Sequence, residues 1–130
     1  PFGTLPEAPS RTPFAPESCG WPLALVRLAG SAFVIAVIEE FFWRGFLYRW
    51  AAAKRWLRMD IGTMDWRMLL LTSLLFGLEH QRWLAGVAAG IVYGLVMIRT
   101  RDLWAACTAH VVTNFTLGLY VLATGSYAFW

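Results

Sequence analysis

Glu39 and Glu40 are adjacent carboxylates in an apolar run, Val34 to Tyr48, and the chain supplies further polar groups that could meet them: Arg44, His80, His110 and Asn114. Ionisable groups at membrane depth are costly and usually face a partner or a water-filled cavity. The set therefore marks a site where a carboxylate and two imidazoles can do proton-transfer chemistry. Glu40 precedes Arg44 by four residues, so the two face each other on a helix and each makes the other tolerable in a low-dielectric setting. That pair is assigned to structure and positioning. Successive helix residues differ by about 100° in direction, so Glu39 points away from the pair, with Ala32 and Ala36 leaving room along its own face. Glu39 is the candidate catalyst. His110 and Asn114, also four apart, share one helical face.

Each of these residues taken singly reads as a polar group satisfied inside a helix bundle. Taken together they are harder to dismiss, because each unpaired one costs several kcal/mol in lipid, and a shared polar cavity is the economical arrangement. Other polar residues carry less. Glu79 and Arg82 flank His80 as an interfacial ion pair, Arg27 snorkels from the start of the first helix, and Cys107 is a small buried hydrophobe instead of a nucleophile. Gly86, Gly90 and Gly94 strip side chains from one helix face and let a neighbouring backbone approach.

The elements that must position these groups are helices. With 58% hydrophobic and 15% charged residues among 130, and a mean hydropathy of +0.54, the chain is too apolar for a soluble domain of its size. No Asp, Glu, Lys or Arg occurs from Leu103 to Trp130 or from Trp83 to Ile98. The expected fold is an all-α polytopic membrane helix bundle with about four transmembrane helices, the core of a larger protein. Residues 1–20 hold five of the six prolines and predict a Pro-rich extended lead-in; 21–130 form the core. A long helix is expected from Pro22 to about Leu57, a second from Met64 to His80 with Asp65 near its start, a third from Trp83 to Thr100, and a fourth from Leu103 to Ala123. Counting about 1.5 Å per residue from the charged loops places Glu39, His80 and Asn114 at similar depth, about 18 to 22 Å, with His110 at about 12 Å.

The net charge of +3 is modest and its basic residues sit in connecting loops, which gives nucleic-acid binding no support. Cys19 and Cys107 lie in different contexts and predict no disulfide. Lys54, Arg55, Arg58 and Arg67 follow the first helix, and Arg99 and Arg101 follow the third. The loops 54–67 and 99–101 are accordingly assigned to the cytoplasmic side.

Glu39-Glu40-x-x-x-Arg44, then Phe76-x-x-x-His80, then His110-x-x-x-Asn114, all on expected membrane helices, resembles the three-motif signature of the CAAX-processing and bacteriocin-processing (CPBP) intramembrane endopeptidases. Segments such as FGLEHQRWLAGVAAG and LGLYVLATGSYAFW are similar to an exosortase-associated, CAAX protease-related branch, which implies a bacterial inner membrane and a link to an exosortase sorting system. The resemblance implies hydrolysis of a peptide bond in a membrane-associated protein or peptide. Glu39 would be general base on a water also held by His80, and His110 and Asn114 would donate to the oxyanion. It equally allows zinc held by Glu39, His80 and His110, although the HExxH pattern is absent because Gln81, Arg82 and Trp83 follow His80. A non-proteolytic membrane immunity or assembly factor, and a proton-coupled transporter, are the readings from other classes.

Overall fold

The computed structural model describes residues 13–129. Most of the proline-rich lead-in lies outside the described residues. Its described end is not extended throughout, since Pro16–Cys19 makes one helical turn with proline in its first turn and Ala15 and Pro16 buried. Every longer element is helical. Helix α1 runs Trp21–Ala52, α2 Trp66–Leu78, α3 Trp83–Thr100 and α4 Leu103–Thr124. Helices α1, α3 and α4 are long and apolar enough to cross a membrane, whereas α2, with 13 residues, reaches only about 20 Å. The chain is an all-α membrane bundle.

Helix α1 has two wide π-type segments, Gly30–Ile35 and Phe41–Tyr48, which bracket the α-helical turns carrying Glu39 and Glu40. Its outward face presents Phe33, Val34, Ile38 and Phe42 for contact with lipid. The helix ends at Ala52, short of the expected Leu57, because Ala53 turns to extended backbone. Side chains then draw the chain back. Arg49 donates to the carbonyls of Leu57 and Met59, while the Tyr48 hydroxyl donates to Thr63 O and accepts from Asp65 N. Asp65 caps α2 by accepting from the backbone N–H groups of Arg67 and Met68.

Helix α4 packs between α1 and α3, α3 packs closely on α2, and α2 meets the lower half of α1. The α2–α3 contact depends on glycine. A Cβ on Gly86 would lie 2.9 Å from Gly77 Cα, one on Gly90 would lie 3.0 Å from Ser73 Cα, and one on Gly94 would strike Leu69 Cδ1. Small residues thus bring two backbones together where side chains would hold them apart. At the end where both basic loops emerge, Arg101 closes α3 in the left-handed region (φ 56°) and donates through Nη2 to Asp60 Oδ2 at 3.0 Å, tying the loops together. Both cysteines are free.

Candidate active site

Four elements deliver the polar groups. Glu39, Glu40 and Arg44 come from α1, Phe76 from α2, His80 from the turn just after α2, and His110 and Asn114 from α4. His80 was expected inside the helix; α2 stops at Leu78, and the His80 backbone N–H bonds back to Gly77 O.

Glu40 is fully enclosed, and one of its oxygens serves two donors. Arg44 Nη1 donates to Oε1 at 3.0 Å and His110 Nδ1 lies 2.8 Å from the same atom. The other oxygen, Oε2, is buried with no hydrogen-bond partner among the described residues. Arg44, itself buried, also donates to the Gly90 carbonyl at 3.0 Å, and its guanidinium lies 4.5 Å from the centre of the Phe76 ring. A buried ion pair is tolerable only when its remaining donors are met, and the bare backbone at Gly90 supplies an acceptor that a bulkier residue would shield. The expectation that Glu40 and Arg44 stand apart from the rest of the cluster is therefore too narrow, since His110 joins them.

Glu39 and Glu40 diverge along the helix, yet both reach His110. The imidazole lies between them, with Nδ1 toward Glu40 and Nε2 3.7 Å from Glu39 Oε2. That second distance exceeds a direct hydrogen bond. The Glu39 side chain keeps 25% of its surface exposed, against none for Glu40. His80 Nδ1 lies 2.7 Å from the Phe76 carbonyl, and a carbonyl can only accept, so Nδ1 carries the proton and Nε2 is left as the acceptor. Asn114 Nδ2 donates one hydrogen to the Ser31 carbonyl at 3.2 Å and retains a second.

His80, His110 and Asn114 line a cavity of about 420 Å³ whose walls include Phe76, Ala89 and Tyr93. Glu39 borders this group through His110. At the mouth, Arg82 departs from the expected ion pair with Glu79. Its guanidinium lies 3.7 Å from the centre of the Phe129 ring, because the short turn Tyr127–Phe129 folds over the end of the bundle. Arg27 likewise covers an aromatic ring, that of Phe14, at 3.8 Å.

The proposed zinc ligands were tested against this geometry. Among the described residues no three His, Cys, Asp or Glu side chains form a group able to hold a metal ion, while the Nδ1 contacts of both histidines leave Nε2 as the ring nitrogen without a hydrogen bond.

Three contacts were not foreseen from the sequence: the Gly90 carbonyl on Arg44, the Ser31 carbonyl on Asn114, and the Tyr93 ring stacked on His110. The glycine stripe could have signalled the first, since it marks accessible backbone. The other two involve residues whose types give no cue.

A family model described as type II CAAX prenyl endopeptidase Rce1-like matches residues 21–116, which include all the polar groups above. No curated protein and no solved structure matches the chain. The family match covers well over half of the sequence, so the chain belongs to this endopeptidase family and is an integral membrane protein of peptidase type.

Proposed function

We infer, from the premise that the chain is an Rce1-like endopeptidase, that it hydrolyses a peptide bond of a membrane-associated protein or peptide in the cavity beside Glu39. The observation that carries this reading is the convergence of His80, His110 and Asn114, from two separate elements, on one cavity, with Glu39 of a third 3.7 Å from His110 Nε2.

Glu39 is the general base. Its carboxylate is largely buried yet keeps a quarter of its side-chain surface exposed, which suits a group that must exchange protons with water. His80, with Nδ1–H committed to Phe76 O, offers the Nε2 lone pair to the same water. Transfer of a water proton to Glu39 lets the oxygen attack the carbonyl carbon. The oxyanion then accepts hydrogen bonds from Asn114, through its second Nδ2 hydrogen, and from His110 at Nε2 when that nitrogen is protonated. Collapse breaks the C–N bond, and the leaving amine takes the proton from Glu39. Glu40, Arg44 and Phe76 hold the frame. Glu40 fixes the His110 ring as an acidic residue orients the imidazole of a hydrolytic triad.

A bacterial inner membrane, with loops 54–67 and 99–101 in the cytoplasm, and a partnership with an exosortase sorting system complete the proposal. The clustering of both basic loops at one end of the bundle, tied by Arg101 and Asp60, supports the sidedness. The decisive experiment compares the N- and C-termini of the membrane proteome between wild type and a Glu39→Ala strain. New termini present only in wild type are expected; identical termini would overturn proteolysis as the function. A non-proteolytic assembly or immunity factor predicts instead that Glu39→Gln lowers thermal stability, since the cluster would then serve only to hold the bundle.

A further inference from the structure

We propose that Tyr93 is a positioning residue for His110, and that its ring, not its hydroxyl, does the positioning. Tyr93 lies on α3, is 4% exposed, and stacks on the imidazole with centres 4.6 Å apart and planes inclined by 22°. Phe76 meets the same imidazole edge-on at 5.8 Å and 84°.

The need for such a clamp follows from the two nitrogens. His110 must aim Nδ1 at Glu40 Oε1 and Nε2 at Glu39 Oε2, and those carboxylates leave neighbouring residues of α1 in different directions. Rotation of the ring about its Cβ–Cγ bond would misdirect both atoms. The rotamer preference of histidine at that bond is broad, so the torsion itself does not set the plane. A parallel aromatic face 4.6 Å away does, because turning the imidazole would drive its edge into the tyrosine ring.

Tyr93 is in turn held. It sits between Gly90 and Gly94, two of the glycines at which an added Cβ would meet α2, so its backbone belongs to the closely packed α2–α3 pair. The Arg44 guanidinium lies 5.6 Å from its ring centre. The ring thus connects α3 to the imidazole that links both carboxylates. Only the kinetic consequence rests on reading the site as hydrolytic; the stacking claim stands or falls by itself.

The chain has only two histidines, so histidine-selective 13C/15N labelling in nanodiscs yields one set of ring signals for His80 and one for His110. Tyr93→Phe should leave the His110 signals near their wild-type shifts. Tyr93→Leu should move or broaden them while leaving those of His80 in place. With the peptide cleaved fastest from a quenched-fluorescent library as probe, Tyr93→Leu should lower kcat on the order of 10- to 100-fold at unchanged KM, and Tyr93→Phe should restore it. If Tyr93→Leu fails to insert, Tyr93→Met, which is flexible but not planar, replaces it in both arms. Unmoved His110 signals in the Leu or Met variant, or a Phe variant as impaired as the Leu one, would overturn the proposal. Glu39→Gln retaining full activity would instead count against the hydrolytic reading and leave the stacking result intact.

Discussion

Glu39 and Glu40 are neighbours in the chain and opposites in surroundings. Glu40 is wholly enclosed, and a guanidinium and an imidazole converge on one of its oxygens. Glu39 keeps a quarter of its side-chain surface open and stops 3.7 Å short of the other nitrogen of the same imidazole. The difference teaches how an apolar bundle can hold two like groups for different purposes. A carboxylate buried against fixed donors is part of the frame, whereas one left partly exposed can exchange protons. His110 couples the two, so the frame aims the reactive part.

The sharpest way to break the comparison is to unbalance the enclosed side. Arg44→Ala removes the charge partner of Glu40 and the donor to Gly90 O, leaving a buried carboxylate with only His110. It should destabilise the protein by about 3–5 kcal/mol, read as a large fall in the thermal unfolding midpoint in detergent or nanodiscs. On the open side, Asn114→Ala should slow peptide cleavage about 10²- to 10³-fold, as expected for loss of an oxyanion donor, with a small loss of stability from its bond to Ser31 O. A stability loss as large as that of Arg44→Ala would move Asn114 from the open side to the enclosed one.

Substituting Gly90 probes the boundary between them. Its own carbonyl receives Arg44, and a Cβ there would lie 3.0 Å from Ser73 Cα and Cβ on α2, so Gly90→Ala should cost about 1–3 kcal/mol through forced separation of α2 and α3. The smallest effect belongs to the loop end, away from both carboxylates. The Gly62 N–H, and then Arg101, hold the exposed Asp60 carboxyl below the usual aspartate range. A lowered folded-state pKa gives stability that is present above the unfolded value, near pH 4, and is lost as pH falls through the folded one. Protection of the loop amides at 59–63, measured relative to their intrinsic exchange rates at each pH, should therefore fall below about pH 4 in wild type. Asp60→Asn should show no such acid step, and cleavage near neutral pH should be untouched.

Much of this arrangement was legible because helical spacing is a strong constraint. The four-residue separations of Glu40 and Arg44, and of His110 and Asn114, put each pair on one face whatever else the bundle did. The glycine stripe announced a close helix contact, and Asp65 announced a helix start, accepting from two N–H groups of the first turn. The π-type segments of α1 were not legible, since no residue type demands them, and they alter the turn on which a direction count rests. The end of α1 at Ala52 was hidden for a related reason. No glycine or proline stands there, and the stop comes from Tyr48 and Arg49 gripping backbone many residues ahead. The placement of Arg82 over Phe129 and of Tyr93 on His110 depends on which helices become neighbours, a matter of tertiary packing that local pattern does not carry.

The central claim is that adjacent carboxylates have been divided between reaction and frame. It is tested most directly by preparing Glu39→Gln and Glu40→Gln side by side in the same nanodiscs and measuring turnover and unfolding midpoint on each sample. The account predicts that Glu39→Gln unfolds within a few degrees of wild type and loses about 10²- to 10⁴-fold in turnover, while Glu40→Gln unfolds at clearly lower temperature. Equal losses of stability in the two variants, or undiminished turnover in Glu39→Gln, would contradict it.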